Sequence, residues 1–419
     1  MDKNMIAGYM RKVLPEKLYQ QIRKAYWIMS YVVFSAVQKL RGEESSLIYV
    51  DPHIIGRTVA PDDPTLTGNS MGHIGTVRDG DWDLGGYPVD EYHQVFDILK
   101  QRVELGREYE QIPEFKKHIE IIQTKGIYYN CRTTEEYKNK WLKIEALYWA
   151  IKEKGYKSQA ELGNVSLDEV RVQIGRNGDF LFEEGLHRLV IAQYLNLKAI
   201  PVIVTRRHKK WADLRTDVLK VVAARGYIHQ PFNHPDLDIL PRLYGKGRLK
   251  EKAMYGNERW EFIAGNLPVD KGKVLDIGAY FGYFSHRFEE LGFDVYAVEV
   301  NENYLSVLKR YREMKNKKFV VWEKSIFDID IFDFDVVLAL NVFHHLIKTK
   351  EDYNKLVKFL NQLDLKAMFF EPSENTEPYS YKSFDDEGFI DFILKNSNLN
   401  HFRFLGRAKE GRNVYLLTV

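Results

Sequence analysis

The segment Val274–Ser285, with the sequence VLDIGAYFGYFS, constrains the fold of this chain more than any other feature. Its apolar start is typical of a buried parallel strand, and Gly278 and Gly282 then allow a sharp turn into a helix. A second apolar strand follows and ends in Glu299. From this segment to the end of the chain, apolar strands alternate with amphipathic helices. The alternation predicts a doubly wound α/β domain whose ligand site lies at the strand ends.

The spacing of the polar residues narrows the class of ligand. Asp276 begins a D-x-G-x-x-x-G pattern, and Glu299 follows 23 residues later at the tip of the next strand. A carboxylate at that position can accept hydrogen bonds from both hydroxyl groups of a ribose. The third glycine of the dinucleotide motif G-x-G-x-x-G is missing, which argues against a pyrophosphate at the helix N-terminus.

Residues 255–419 resemble the class I S-adenosylmethionine (SAM)-dependent methyltransferases, which have a doubly wound, Rossmann-like fold. In that family the glycine loop faces the amino-acid part of SAM, and the acid after the second strand binds its ribose. The resemblance implies that SAM is bound by Asp276, Gly278, Tyr280, Gly282, Glu299 and Asn341. Ser325 replaces the usual adenine-binding aspartate. We therefore expect Ser325 and the Ile326 backbone at the adenine, with Asp328 as the alternative.

Two further segments, Val342–Leu346 (VFHHL) and 367–372 (AMFFEP), resemble the methyltransferase half of bifunctional kinase–methyltransferases. Those enzymes cap bacterial O-antigen chains by phosphorylating the terminal sugar and methylating that phosphate. A phosphate monoester is already a nucleophile, so such a site needs positioning rather than a strong base. The resemblance implies that His344 and His345 act at the acceptor, where imidazoles can hydrogen-bond to a phosphate. The alternative is that one histidine belongs to the core.

Residues 170–208 contain a strand, a hairpin turn, a second strand, the sequence Gly185-Leu-His-Arg188 and a final strand. This order resembles the ParB/sulfiredoxin-like fold and implies that Gly185, His187 and Arg188 hold nucleotide phosphates. A helix N-terminus attracts phosphate through its unpaired N–H groups and its dipole. Leu186 replaces the sulfiredoxin cysteine, so cysteine-reductase chemistry is not expected. The alternative is an ordinary helix cap with Arg188 in a surface ion pair.

An acidic loop precedes this region, with Asp79, Asp81 and Asp83 within five residues. Three carboxylates so close together are costly to hold without a cation. If the loop folds near Gly185, Asp81 and Asp83 can bind Mg²⁺, and one of the three aspartates can act as a base. The alternative is a solvated turn. Glu184, just before Gly185, is a second candidate base.

The charge is concentrated at the N-terminus. Residues 1–42 carry eight Lys or Arg against two Asp or Glu, a net charge of +6 in a chain whose total is +2. Within this arm, residues 14–41 have the apolar spacing of one amphipathic helix with basic flanks. Such a helix fits a membrane surface or a partner helix. The remainder of the chain is mildly acidic, so nucleic acid is not an expected partner.

One cysteine, Cys131, and no run of 18 apolar residues predict a cytoplasmic protein, and the basic helix over 14–41 is compatible with a peripheral position at the inner face of the membrane. The sequence as a whole predicts an N-terminal helix, an α+β domain, a linker and an α/β domain, over residues 1–44, 45–210, 211–254 and 255–419.

The favoured hypothesis is a bifunctional enzyme. Its N-terminal domain phosphorylates a hydroxyl of a glycan or lipid-linked acceptor with Mg²⁺ and ATP or another nucleotide. SAM-dependent methylation follows, with that phosphate as the candidate acceptor. One alternative is a methyltransferase whose N-terminal domain only binds substrate or partner. Another is a ParB-like DNA-binding protein, which the prolines of 209–252 and the acidic body disfavour.

Overall fold

The structure, a computed structural model, describes Pro15, Leu18 and residues 47–59, 74–89, 93–163, 169–225, 234–237, 255–373, 380–408 and 411–419. Apart from Pro15 and Leu18, the predicted helix over 14–41 lies outside the described residues. The chain divides into two compact units, Met1–Trp211 and Ala212–Val419. No helix within the described ranges is long and apolar enough to cross a bilayer.

The first unit contains a mixed sheet. Its described strands are β1 (Leu47–Val50), β2 (Arg57–Thr58), β3 (Thr76–Arg78), β4 (Val170–Ile174), β5 (Phe180–Glu184) and β6 (Ile200–His208). Their order is β1-β6-β4-β5-β2, and β3 also pairs with β6. β4 and β5 form an antiparallel hairpin, whereas β4 and β6 run parallel. The predicted strand–turn–strand is confirmed, and the ParB/sulfiredoxin-like assignment of this unit stays a prediction.

Four described helices accompany this sheet: α1 (His93–Val103), α2 (Pro113–Lys125), α3 (Thr134–Lys154) and α4 (Leu186–Tyr194). Thr133 caps α3 by accepting a hydrogen bond from the Glu136 N–H, and Gly126 ends α2 in a left-handed conformation. The core between the helices is filled by buried aromatic side chains, Tyr109, Phe115, Tyr137 and Trp141. α4 contacts α3, and His187 in the first turn of α4 lines a small cavity together with Lys140 of α3.

A helix, α5 (Lys209–Arg225), occupies the beginning of the predicted linker 211–254. The difference has a simple cause, because the first proline of that segment is Pro231 and nothing breaks a helix before it. Basic residues are frequent in this segment and obscure its apolar residues, which recur at helical spacing. The apolar residues Trp211, Leu214, Val218 and Val221 are buried.

The second unit is a doubly wound α/β domain, as predicted. Its strands are β7 (Lys273–Ile277), β8 (Asp294–Val298), β9 (Val320–Trp322), β10 (Asp333–Leu340), β11 (Asp364–Glu371), β12 (His401–Arg407) and β13 (Asn413–Thr418). The helices described between and around them are α6 (Tyr255–Ala264), α7 (Tyr283–Glu290), α8 (Glu302–Met314), α9 (Lys350–Gln362) and α10 (Asp386–Lys395). The strand order is β12-β13-β11-β10-β7-β8-β9, with β13 antiparallel to both neighbours.

The order of these strands creates a crevice beside β7. The chain runs from β7 to β8 and β9 on one side and then crosses to β10 on the other side. The loops that follow β7 and β10 therefore leave the carboxyl ends of these strands in opposite directions. This divergence opens a crevice for a ligand between the two strand ends. Both strands are buried on both faces, and Val336, Val337, Leu338 and Ala339 are fully buried. The strand ends are thus held on a rigid support.

Candidate active site

A cavity of about 820 Å³ opens at the carboxyl ends of the central strands in the second unit. Its volume lies in the range of about 300–1,000 Å³ that is usual for small-molecule sites. Eight of the predicted SAM and acceptor residues line it: Gly278, Tyr280, Glu299, Ser325, Ile326, Asn341, His344 and His345. The structure therefore brings together residues that are up to 67 positions apart in the sequence.

The glycine loop is held in a left-handed conformation at three positions, Gly278, Tyr280 and Gly282, whose φ angles are 70°, 56° and 80°. Gly278 and Ala279 both donate backbone hydrogen bonds to the Val298 carbonyl at the end of β8. Gly282 does not line the cavity. A Cβ atom on it would lie 2.4 Å from a Leu308 methyl group, so this glycine permits the close packing of α7 on α8.

Glu299 connects the loop to the tip of β8. It is 7% exposed, and its carboxylate accepts hydrogen bonds from the backbone N–H groups of Tyr280 at 3.0 Å and of Val300 and Asn301 at 2.9 Å. These bonds hold the carboxylate at the cavity wall, where a ribose can reach it. They also give Glu299 a role in shaping the loop that its position in the sequence did not indicate.

Asp276 lies behind the loop instead of lining the cavity. It is buried and accepts a hydrogen bond of 2.6 Å from the Ser285 hydroxyl on α7. Burial raises the pKa of this carboxyl to about 6, although the bonds from Ser285 oppose the shift. Its position is that of an anchor between β7 and α7 rather than of a cofactor contact.

The expected adenine contacts, Ser325 and Ile326, line the same cavity as Glu299. Ser325 caps a short 3₁₀ helix, Ile326–Asp328, by accepting a hydrogen bond of 3.2 Å from the Phe327 N–H. Ser325 and Ile326 both line the cavity. Asp328, the alternative, is not among the described residues that line the cavity.

Asn341 and the two histidines form the part of the wall that follows β10. Asn341 has a left-handed φ of 56°, and its backbone N–H donates to the Glu371 carbonyl at 2.8 Å. Its buried Oδ1 has no hydrogen-bond partner among the described residues. His344 and His345 follow on a short 3₁₀ helix, and the centroids of their rings lie 3.8 Å apart. Phe343, which directly precedes them, is buried in the core.

Three charged residues of this cavity had no counterpart in the predicted site. Arg259 on α6, Glu371 at the end of β11 and Arg412 before β13 line the same wall. Nothing in the local sequence marks the two arginines. Glu371 is a single charged residue at the end of an apolar run, as Glu299 is. This position in the sequence could have indicated that Glu371 belongs to the site.

In the first unit, Gly185 is the left-handed N-cap of α4, with φ of 98°. A Cβ atom there would lie 2.9 Å from the Val170 Cα, so the turn requires glycine. His187 lines a small cavity with Lys140, and burial together with the Lys140 charge lowers its pKa to about 4. Arg188 Nη1 lies 3.9 Å from the buried carboxylate of Glu169.

Glu184, the second candidate base, is paired with Arg171, the residue opposite it on β4. Its carboxylate is therefore held in an ion pair, as expected for a structural contact across two strands.

The acidic loop lies at the other end of the β4–β5 hairpin. Asp83 is 5% exposed and accepts hydrogen bonds from Arg176, which belongs to the hairpin turn, at 2.7–3.0 Å. Burial raises the pKa of Asp83, but the bonds and the charge of Arg176 outweigh it, and the net shift is downward. Asp81 also pairs with Arg176, and Asp79 is exposed.

The structure does not bring Asp81 and Asp83 to Gly185. Gly185 packs on Val170 at the start of β4, whereas the Arg176 turn follows the end of that strand. At about 3.3 Å per residue, the two ends of the strand are roughly 13 Å apart. Among the described residues, no group of three or more His, Cys, Asp or Glu can hold a metal ion. Arg176 supplies the positive charge that a cation was expected to supply.

A family model for a methyltransferase domain matches residues 275–363. Together with the doubly wound sheet, this match supports a Rossmann-like methyltransferase domain in the second unit. No curated protein matches the chain.

Several solved structures are similar to part of this chain. The bifunctional kinase-methyltransferase WbdD is 17% identical, with a TM-score of 0.34 over 48% of this chain and 46% of that one. Magnesium protoporphyrin IX methyltransferase (ChlM) from Synechocystis PCC 6803, solved with bound SAM, is 16% identical, with a TM-score of 0.33 over 49% and 98%. The PH0226 protein from Pyrococcus horikoshii OT3 is 14% identical, with a TM-score of 0.30 over 42% and 92%. The chain spans less than half the length of the WbdD chain.

Proposed function

We propose that this protein transfers the methyl group of SAM to an anionic oxygen of a glycan or lipid-linked acceptor, and that this oxygen belongs to a phosphate monoester. One observation carries the proposal. The candidate acceptor residues, His344 and His345, share a single cavity with Gly278 and Glu299 of the cofactor loop. A cofactor held at the loop then occupies the same open cavity as an acceptor at the histidines.

The residues of the cavity fit SAM. Glu299 offers a carboxylate to a ribose, and Ser325 and Ile326 offer the wall beside it for the adenine. The buried Oδ1 of Asn341 is an acceptor that the ammonium group of the methionine part can satisfy. When bound, SAM supplies a methyl group on a sulfonium sulfur, which becomes a neutral thioether as the acceptor oxygen takes the methyl.

The histidine pair fits an acceptor that needs orientation more than deprotonation. His345 is exposed and His344 is half-buried, so both can donate hydrogen bonds to oxygen atoms that enter from solvent. A phosphate monoester is ionised at neutral pH, and its oxygen attacks a methyl sulfonium without a strong base. Phe343, which directly precedes them, is buried in the core and anchors this segment.

The finer proposal is that the first unit makes that phosphate, by binding ATP or another nucleotide at Gly185, His187 and Arg188. The left-handed glycine cap and the N–H groups that begin α4 support phosphate binding. A second candidate function is a first unit that binds a phosphorylated substrate without catalysis. The ion pairs of Asp83 and Glu184 favour this second candidate, because they occupy the carboxylates that phosphoryl transfer would use.

One experiment separates these possibilities. The purified chain is incubated with labelled SAM and with glycan or lipid-linked acceptors, each with and without a terminal phosphate, in the presence and absence of ATP and Mg²⁺. We expect methyl transfer to phosphorylated acceptors without ATP. If unphosphorylated acceptors are methylated only when ATP is added, the result supports a kinase in the first unit. Loss of this ATP-dependent methylation in the Arg188→Gln variant would assign the kinase activity to the site at Arg188. Methyl transfer to an unphosphorylated acceptor without ATP contradicts the proposal.

We also propose that residues 14–41 attach the protein to an anionic membrane surface or to a partner helix. The support is the net charge of +6 in residues 1–42 beside a segment, 25–38, without charged residues. Deletion of residues 1–42 is expected to abolish sedimentation with vesicles that contain phosphatidylserine. Unchanged sedimentation of the shortened protein would leave only the partner-helix form of the proposal. A salt-sensitive shift of duplex DNA by the full chain would instead support the DNA-binding alternative.

A further inference from the structure

The helix α3 has an apolar strip on the side that faces away from the core of the first unit. The residues on its inner side are buried in that core: Tyr137, Trp141, Ile144, Tyr148 and Ile151. At about 100° per residue, Ala146 lies on the opposite side of the helix, with Leu142, Trp149 and Ala150 next to it. All four are exposed, Leu142 to 42% and Trp149 to 37%. We call these four residues the outer strip of α3.

The side chain of Trp149, the largest in the outer strip, is held by its neighbours. The Tyr148 ring meets the Trp149 ring edge-on, with centroids 5.1 Å apart, and Lys152 Nζ lies 4.9 Å from the Trp149 ring centroid. An aromatic side chain that is already ordered loses little conformational entropy when a partner covers it. Tryptophan is also the residue type most typical of interface hot spots. Trp149 is therefore suited to anchor a protein contact.

The charges beside the outer strip match those of a second copy of the same helix. Glu136 and Lys154 are exposed and 18 residues apart, which is five turns, so they lie on one flank of α3. If two copies of α3 pack antiparallel across a two-fold axis at Ala146, Glu136 comes within about 3 Å of Lys154 of the second copy along the helix axis. Parallel packing would instead place like charges side by side. The charges therefore favour the antiparallel arrangement.

The apolar residues fit the same arrangement. Leu142 and Trp149 are seven residues apart, about two turns, and share the other flank of α3. Across the two-fold axis, Leu142 is offset by about 1.5 Å along the helix from Trp149 of the second copy, so these side chains meet twice in the dimer. Ala146, at the centre, is small enough to let the two helices approach closely.

We propose that two copies of this chain associate through the outer strip of α3, with the helices antiparallel across a two-fold axis at Ala146. α3 contains 21 residues, so it is about 31 Å long and about 10 Å wide, and the contact covers about 600 Å² of the two helices together. Stable specific interfaces cover about 1,000 Å² or more. The dimer is therefore weak and reversible, with a dissociation constant in the micromolar range or above.

The test measures association of the full chain by sedimentation equilibrium, up to a concentration of about 500 μM. Leu142→Glu and Trp149→Ala remove the central contacts, and each is expected to weaken dimerisation at least tenfold, because each substitution occurs twice in the interface. Leu105→Glu is the matched control. Leu105 is an exposed leucine of the same unit that lies outside α3, and its substitution is expected to leave the association constant unchanged.

A charge exchange tests the antiparallel arrangement itself. Lys154→Glu places a carboxylate beside Glu136 of the second copy and is expected to weaken the dimer by roughly threefold to tenfold. Adding Glu136→Lys to the same chain restores the opposite charges and is expected to restore the association constant. A loss of helix structure would not be rescued in this way, and the far-ultraviolet circular dichroism spectrum of each variant confirms that it is folded.

A wild-type chain that stays monomeric at the highest concentration would overturn the inference. A dimer whose association constant is the same in Leu142→Glu and Trp149→Ala would overturn it as well, because the contact would then lie elsewhere. Failure of the double charge variant to recover would exclude the antiparallel arrangement. None of these residues lines the cavity of the second unit, so each outcome leaves the proposed function unchanged.

Discussion

The Glu299 carboxylate and the Tyr280 backbone N–H lie 3.0 Å apart and form a hydrogen bond that closes the glycine loop onto the tip of β8. Tyr280 holds a left-handed φ of 56°, a conformation that costs a non-glycine residue about 1–2 kcal/mol. The bond helps to offset this strain. The residue predicted to bind ribose thus also maintains the shape of the loop that faces the rest of the cofactor.

Glu299→Gln is expected to weaken binding of S-adenosylhomocysteine by roughly tenfold or more. An amide has one accepting oxygen and would place its NH₂ group against backbone donors that the carboxylate now accepts. Calorimetric titration measures the change. Glu302→Gln is the control, because Glu302 is exposed at the start of α8 and does not line the cavity. Equal affinities for the two variants would contradict the role of Glu299.

Gly282→Ala is expected to destabilise the second unit more than Gly292→Ala does. Both glycines have left-handed φ angles, 80° and 88°, so both substitutions introduce backbone strain of about 1–2 kcal/mol. Only at Gly282 does the new Cβ meet another atom, a Leu308 methyl group at 2.4 Å, which adds about 1–3 kcal/mol from overpacking. Urea unfolding of the two variants measures the difference. A larger loss at Gly292 would mean that α7 and α8 do not pack in this way.

The buried imidazole of His286 is expected to make the protein less stable as the pH falls below neutrality. Burial, aided by the charges of Lys317 and Lys315, lowers its pKa from 6.5 to about 3. Above pH 6.5 neither state binds a proton. Between pH 6.5 and pH 5 only the unfolded state does, so the folded state loses about 2 kcal/mol from this group.

His286→Gln removes this contribution and provides the comparison. Carboxylates that titrate in the same range affect both proteins, so the difference between their pH profiles isolates the imidazole. Unfolding in urea at pH 7 and pH 5 is the measurement. Parallel profiles for the variant and the wild-type protein would show that His286 is accessible to protons in the folded state.

Asp83→Asn is expected to destabilise the first unit by about 3 kcal/mol or more, because it leaves the Arg176 guanidinium beside a neutral side chain in a part-buried site. Asp81→Asn, at an exposed position that pairs with the same arginine, is expected to cost less than about 1 kcal/mol. Thermal unfolding measures both changes. If the wild-type protein binds Mg²⁺ and either substitution abolishes that binding, then this loop does hold a metal ion.

Much of the methyltransferase site could be predicted because its determinants are local. The glycine loop, the acid at the end of β8 and the histidines after β10 each follow a strand directly. The ends of neighbouring parallel strands must meet at one edge of a sheet. Eight of the predicted residues share a cavity for this reason.

The remaining features depend on contacts between distant residues. Arg259 and Glu371 are 112 positions apart, and Asp83 and Arg176 are 93 apart. No local pattern indicates either pair. The acidic loop was expected to need a cation because its arginine partner lies in a different motif. Asp276 belongs to the glycine motif, but its orientation behind the loop depends on the packing of Ser285 against β7.

The most direct test of the account is the structure of the methylated product. The protein is incubated with ¹³C-methyl SAM and a glycan that carries a terminal phosphate, and the product is examined by ³¹P nuclear magnetic resonance. We expect the phosphorus signal to acquire coupling to the transferred methyl group, as in a methyl phosphodiester. A methyl group on a sugar hydroxyl, with an unchanged phosphorus signal, would contradict the account.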